Sequence, residues 1–288
     1  MAVGSAAPAQ AGSAQVAQTM LLETFPTPST TGVPVGTTLT VLPPDGYDTN
    51  GVPYYVVGAG ETIDSKRFTG NLIISGNGAV IKNSEIYRTI SNGDDHYTFS
   101  VTDSTLGAPD GNGCNGDVAI QFDNYTALRV RVRNFSDAFR ATTPGGASNI
   151  SIKDSFAKLC SNSGDHSDGY QGYHGGTNVL IQHNTIDQRS AAPDVTAPIF
   201  NSDDSNGISV KNNLLMGGSF TIRLDGDGTQ SVAQDNRVVN NSWVWGPVSN
   251  AGPSGGSNCP WITWSGNTLV TIDSSYNITS TVGPLNCV

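Results

Sequence analysis

Eight stretches of the chain can be laid over one another: AVIKNSEI from Ala79, FSVTDSTL from Phe99, LRVRVRNF from Leu128, ISIKDSFA from Ile150, VLIQHNTI from Val179, ISVKNNLL from Ile208, SVAQDNRV from Ser231 and ITWSGNTL from Ile262. Their third position is always apolar (Ile81, Val101, Val130, Ile152, Ile181, Val210, Ala233, Trp264), and so is their last, from Ile86 to Leu269. Two places before the last stand Ser84, Ser104, Arg133, Ser155, Asn184, Asn213, Asn236 and Asn267, a Ser/Asn column broken only by Arg133. The third positions are 20, 29, 22, 29, 29, 23 and 31 residues apart. A unit of about twenty residues with occasional loop insertions, β-branched alternation and Gly/Asn turns is the mark of a parallel β-solenoid. One unit is too small to bury its own apolar face, so it must stack on its neighbours. Stacking turns the Ser/Asn column into a ladder of side-chain hydrogen bonds at a bend. The expected fold is all-β: a single-domain right-handed parallel β-helix with N- and C-terminal caps.

A second strand precedes most repeats: DVAIQF from Asp117, DAFRAT from Asp137, DGYQGY from Asp168, APIFNS from Ala197 and SFTIRL from Ser219. From Ile120, Phe139, Tyr170, Ile199 and Ile222 to the next third position the offsets are 10, 13, 11, 11 and 11, which predicts a parallel sheet of their own. Residues 21–288 form the expected β-helix domain, with 21–70 as the N-terminal cap and 247–288 as the C-terminal one. Caps shield the open sheet edges from pairing with another chain.

Alternation assigns the faces of this leading sheet. With Ile120, Phe139, Tyr170, Ile199 and Ile222 inward, Gln121, Arg140, Gln171, Phe200 and Arg223 point out, and two places on come Asp123, Thr142, Tyr173, Ser202 and Asp225. Rungs stack about 4.8 Å apart, so Arg140, Gln171, Tyr173, Arg223 and Asp225 share a surface about 15 Å long, the footprint of a few sugar units. Two of the few arginines of an acidic chain on one face point to carboxylate recognition, since the guanidinium fork binds carboxylates bidentately. The densest polar cluster is GDHSDGYQGYHGG, from Gly164 to Gly176, with Asp165, His166, Asp168, Gln171, Tyr173 and His174. Glycines on both sides let the backbone approach a ligand. NSDDSNG, which holds Asp203, and LDGDG place further carboxylates in turns. Oxygen ligands of this kind suit Ca²⁺ or Mg²⁺, and Asp165, Asp168 and Asp203 are the candidate ligands of such a divalent cation. His183 occupies a repeat position and is expected to be structural, while His96 carries no signal in the sequence.

The formal charge is −10, with 14 Lys+Arg against 24 Asp+Glu. Such a chain gains nothing from the phosphate-neutralising term of nucleic-acid binding, and an anionic membrane surface is a poor partner for the same reason. No run of 18 apolar residues exists to span a bilayer. Residues 1–20 are expected to be a signal-peptide remnant or flexible tail, since Ala9-Gln10-Ala11 has the small-x-small form of a cleavage site, behind an added methionine. The four cysteines form no CxxC and no zinc-finger spacing with histidine. Of three possible pairings, Cys114 with Cys160 and Cys259 with Cys287 is preferred, and the protein is expected outside the cell as a monomer. No GxSxG elbow, P-loop, HExxH or strand-to-helix GxGxxG is present, so no organic cofactor is expected.

TGVPVGTTLT near the start, the IKNSEI-type repeats and the HSDGYQ strand resemble secreted and phage-borne β-helix proteins of actinobacteria, and more broadly the β-helix polysaccharide lyases and glycosidases. The resemblance covers residues ~30 to ~270 as a rung pattern. It implies an enzyme acting on an acidic polysaccharide, with alginate lyases of the tyrosine/lysine type as the nearest analogy. There a tyrosinate removes the proton beside the uronate carboxylate and a lysine protonates the leaving oxygen. Tyr173 and Lys211 match by residue type and approximate spacing, and Lys211 also belongs to an outward column with Lys82, Arg131, Lys153 and Gln182. His166 and His174 are rival bases. Arg140, Gln171, Arg223, Asp225 and Gln121 are then the substrate-binding set. A polygalacturonase-like hydrolase, acting through paired carboxylates, is one alternative; its blocks run NTD, DD, GHG, RIK, whereas here YHGG precedes NSDD and IRL replaces RIK. A glycan-binding solenoid or virion spike without chemistry is the other.

Overall fold

The computed structural model describes residues 23–142, 147–172, 177–189, 195–202, 207–225, 230–249, 257 and 259–287. Among them the strands form three sheets of eleven, nine and ten strands. All pairings are parallel except Gly46–Tyr47 with Pro53–Val57 and Thr268–Ile272 with Ile278–Pro284. The only helical turns among the described residues are Gly93–Asp95 and Cys259–Trp261. Each turn of the chain lays one strand into each sheet. Ser167–Gly172 joins the ten-stranded sheet, Thr177–Gln182 the nine-stranded and Thr185–Gln188 the eleven-stranded, after which Val195–Asn201 returns to the first. This all-β arrangement of long parallel sheets is compatible with the expected β-helix. Parallel pairing reaches into both expected caps, since Pro53–Val57 already pairs with Asn71–Ile74 and Thr268–Ile272 still pairs with Arg237–Val239.

One column of the repeat fixes the bend between the nine- and eleven-stranded sheets. Ser65, Asn83, Asp103, Arg129, Asp154, His183, Asn212, Asp235 and Gly266 all have φ between 48° and 66°. This left-handed region turns the chain sharply and is easiest for Gly, Asn and Asp. The residue that follows each of them carries the ladder. Asn184 N–H donates to Asn213 Oδ1 at 2.9 Å, Asn213 N–H to Asn236 Oδ1 at 3.1 Å and Asn236 N–H to Asn267 Oδ1 at 3.0 Å. Each asparagine also donates its Nδ2 to the next Oδ1. Towards the N-terminus serines continue the ladder, Ser84 N–H donating to Ser104 Oγ and Ser155 N–H to Asn184 Oδ1.

The structure corrects the third repeat. Ala127, not Val130, pairs with Val101 and Ile152. Val130 stands in the ladder column, its N–H donating to Ser155 Oγ at 3.0 Å. The unit therefore begins at Tyr125, three residues earlier than expected, and the break in the Ser/Asn column moves from Arg133 to Val130, whose side chain offers no acceptor. Arg131 leaves the outward Lys column, whose member in this rung is Leu128. The mistake has a physical source: LRVRV alternates strictly, so a shifted frame still offers apolar residues at the right places.

Inside the sheets lies one continuous core, with Phe68, Ile81, Tyr125, Phe139, Ile152, Tyr170, Ile181 and Ile222 all buried. Both expected disulfides are formed, Cys114–Cys160 and Cys259–Cys287, which suits an oxidising environment. No helix among the described residues is long and apolar enough to cross a membrane.

Replacing Asn213 by Ala removes the acceptor of two Asn184 donors and the Nδ2 that donates to Asn236 Oδ1 and the Ile181 carbonyl, while the backbone N–H bond to Asn236 stays. A buried polar group left unpaired costs about 1–3 kcal/mol. We expect Asn213→Ala to lower stability by roughly 2–4 kcal/mol in chemical denaturation, and Ser84→Ala, in the serine part, by roughly 1 kcal/mol.

Candidate functional site

The leading strands do form their own sheet, the ten-stranded one, in the expected register. Phe139 pairs with Tyr170, Tyr170 with Ile199 and Ile199 with Ile222, all buried. Their successors make an outward row: Ser91, Gln121, Arg140, Gln171, Phe200, Arg223 and Ser249 follow one another from rung to rung. Of the expected binding residues, Gln121, Arg140, Gln171 and Arg223 therefore stand on one face, and Asp225 does not.

The two arginines are held from below. Arg140 Nη2 donates to Asp137 Oδ2 at 2.6 Å, and Arg223 Nε donates to Asp225. Asp225 also accepts from Ser249 Oγ at 3.0 Å. The Arg223 guanidinium lies 4.9 Å over the centre of the Phe200 ring, a cation–π contact that fixes it on the row. Asp225 itself is buried, as are Asp123 and Ser202, although alternation placed all three outside. The strands end one place earlier: Asn115–Gln121 stops at Gln121 and Phe122 turns with φ 80°. The period of two ends with the strand.

Beneath Arg140 lies a pair of buried carboxylates. Asp137 Oδ1 accepts from Asp168 N–H at 2.9 Å, and Asp168 Oδ1 accepts from Ala197 N–H at 3.0 Å. Burial pushes the Asp137 carboxyl up to about 6, against the opposing pull of Arg140. Asp168 is fully buried and is pushed well above the usual carboxylate range, first by burial and then by Asp137. Asp168 Oδ2 has no hydrogen-bond partner among the described residues.

At the edge of the row stands a pair that sequence reasoning missed. His96 Nδ1 bonds Asp123 Oδ2 at 2.6 Å, with the Asp123 side chain buried and the imidazole half exposed. Asn92 Nδ2 donates to Asp123 Oδ1 at 3.2 Å and fixes the carboxylate further. Asp123 lies two residues beyond Gln121, the row residue next to Arg140. The same pairing recurs at His183, where Nδ1 bonds Asp154 at 2.6 Å, but there Nε2 is taken up by the Thr24 carbonyl at 2.9 Å. His183 is thus structural, as expected, whereas Nε2 of His96 has no partner among the described residues. Its signal is absent from the sequence because Asp123 and His96 are 27 residues apart.

Other expected site residues are placed elsewhere. Tyr173, His174 and Asp203 lie outside the described residues. His166 is exposed at the opposite end of strand Ser167–Gly172, about 16 Å along the strand from Gln171. Lys211 ends a strand of the nine-stranded sheet, in register with Gln182 and Gln234, and so stands on a different sheet from the arginines. Asp165 sits in a loop and accepts from Asn162 N–H at 2.8 Å, and Asp168 turns into the bend rather than towards Asp165. Among the described residues no three His, Cys, Asp or Glu side chains gather as a metal-ligand set.

No known protein family, no curated protein and no solved structure matches this chain.

The buried acids make a pH prediction. A carboxyl with a raised folded pKa contributes stability below its unfolded value, near pH 4, and loses it as pH rises through its folded value. Asp137, at about 6, and Asp168 act in the same direction. Denaturation midpoints should fall between pH 4 and pH 7, by an amount on the order of 1–3 kcal/mol for Asp137, and Asp137→Asn should flatten that slope. Equal slopes in the two proteins would contradict the assignment.

Proposed function

We propose that this protein is a secreted right-handed parallel β-helix enzyme that cleaves a uronate-containing polysaccharide by β-elimination on the outer face of the ten-stranded sheet. The observation that carries this reading is the in-register row of Gln121, Arg140, Gln171, Phe200 and Arg223, with the His96–Asp123 pair at its edge. The row supplies cations and hydrogen-bond donors at rung spacing, with an aromatic ring among them, and a linear acidic glycan fits that pattern.

β-Elimination needs the uronate carboxylate neutralised, a base for the neighbouring C–H, and an acid for the leaving oxygen. Arg140 meets the first need, since it stabilises the enolate-like charge that grows towards the transition state. His96 meets the second. Asp123 holds the proton on Nδ1 and leaves the Nε2 lone pair as the base, the division of labour of a histidine oriented by a buried carboxylate. The C–H electron pair forms the new C=C bond, the C–O bond to the next sugar breaks, and the oxygen takes a proton from the imidazolium just formed. Lys211 has no part in this scheme because it stands on another sheet. Tyr173, next in the chain after Gly172, is the rival base.

Incubation with alginate, pectate, hyaluronan and neutral glycans tests the reading, comparing ultraviolet absorbance of unsaturated ends with total reducing ends. A lyase raises both on an acidic polymer, a hydrolase raises reducing ends alone, and a binding module raises neither. Loss of a general base costs about 10²–10⁴-fold, so His96→Gln should cut the rate by that factor while substrate binding survives. Tyr173→Phe should stay within a few-fold of the parent. The reverse result moves the base to Tyr173.

A further inference from the structure

A second polar cavity lies away from the row, on the eleven-stranded sheet. Its volume is about 340 Å³, within the range of small-molecule sites. Strands Arg131–Arg133 and Phe156–Lys158 form its floor, with Arg131 opposite Phe156 and Arg133 opposite Lys158. Tyr276 and Pro28 wall it, and Asp110 is the one acidic residue on its lining. Three cations against one carboxylate stand out on a chain of formal charge −10.

The three cations are held differently. Arg133 is fixed from behind, its Nη2 donating to Glu85 at 2.6 Å and its Nε to the Gly107 carbonyl at 3.3 Å. Arg131 is clamped along its stem by Gly32, where a Cβ would come within 2.9 Å of the Arg131 Cβ, so only glycine lets the segment pass there. Arg131 Nε is nonetheless buried with no acceptor among the described residues. Arg131 makes no ion pair among the described residues, so its charge favours an anion in the cavity it lines. Lys158 is exposed at the rim and makes no ion pair among the described residues.

The walls add a second requirement. Tyr276 is pinned by its hydroxyl to Asp187 at 2.9 Å and packs edge-on against Phe156 at 5.1 Å, which leaves a rigid aromatic side. A neighbouring cavity of about 370 Å³ shares Asn134 with this one and is lined by Tyr87, Arg88, Asn112 and Asn115. The Cys114–Cys160 disulfide separates the two, with Cys114 on one side and Cys160 on the other. A bare ion would need only the cations, whereas a polyhydroxylated ring also uses the Asn134 amide oxygen, whose Nδ2 is held by the Ala108 carbonyl and Asp110, and the aromatic wall of Tyr276.

We propose that the groove of Arg131, Arg133 and Lys158 is a binding site for an acidic sugar, its carboxylate or sulfate seated against the arginines and its ring over Asn134. The site is separate from the row and requires no catalysis.

Calorimetric titration with tri-galacturonate, a sulfated disaccharide, inorganic sulfate and neutral galactotriose tests it. The proteins are the wild type, the Arg140→Ala/Arg223→Ala variant, and that variant further changed by Lys158→Glu or by Arg131→Gln. The double variant should still bind one of the acidic sugars and not galactotriose, and either further change should weaken that binding at least tenfold. Preference between the two acidic sugars assigns the group as carboxylate or sulfate. Lys158→Glu changes an exposed side chain, so it reports even where Arg131→Gln disturbs folding. The proposal falls if the double variant binds no acidic sugar, if Lys158→Glu leaves binding within twofold, or if inorganic sulfate binds as tightly as the sugars. Failure of the row shows separately, as identical binding by the wild type and the Arg140→Ala/Arg223→Ala variant.

Discussion

Every rung of this molecule has to turn from one sheet into the next without leaving a buried N–H unpaired, and one two-residue device does it. A residue in the left-handed region reverses the chain, and the next residue receives a side-chain acceptor from the neighbouring rung, except at Ser104, where that rung offers Val130. From Asn184 to Asn267 that acceptor is an asparagine amide which also donates onward. It bonds back as well, Asn213 Nδ2 donating to the Ile181 carbonyl and Asn236 Nδ2 to the Val210 carbonyl, each at about the ordinary distance. The ladder thus sets rung spacing and register together. With register fixed, the inward residues of all three sheets meet in one core.

The same constraint separates structural from available polar groups. At the ladder bend, histidine and arginine in the left-handed column are paired along the stack, Arg129 with Asp103 at 2.6 Å and His183 with Asp154 at 2.6 Å. Charges there are absorbed by neighbouring rungs. On the ten-stranded sheet the outward row stands near the strand ends, and Gln121, Gln171 and Phe200 remain partly exposed there. Asp137, Asp168, Asp123 and Asp225 are buried around that row. Two of them orient its arginines, and Asp123 orients His96.

Much of this was legible in the chain. Seven of the eight repeat frames match the observed register, because an apolar third position followed by a Ser/Asn column tolerates only one alignment. Arg140, Gln171 and Arg223 fell on one face because strand alternation is local. A second column was equally legible and was overlooked: Asn124, just before a strand of the nine-stranded sheet, and Asn149 and Asn178, in the first residues of the next two, all have left-handed φ, and their side chains bond in succession at 2.8 Å. The SNI and TNV tripeptides, each with its asparagine just ahead of a repeat, were its trace.

The sequence by itself determined the rung and, within the strands, the inward and outward faces, since these follow from periodicity, while it gave the observed disulfides as the preferred of three pairings. Only the tertiary structure decided which acids are buried and what they hold. Asp123 meets His96 across 27 residues, Glu85 meets Arg133 across 48, and Asp187 meets Tyr276 across 89. These partners belong to different turns of the chain, and the lengths of the intervening loops set which residues become neighbours. A repeat pattern specifies that rungs stack; it does not specify where a loop residue comes to rest against the next turn.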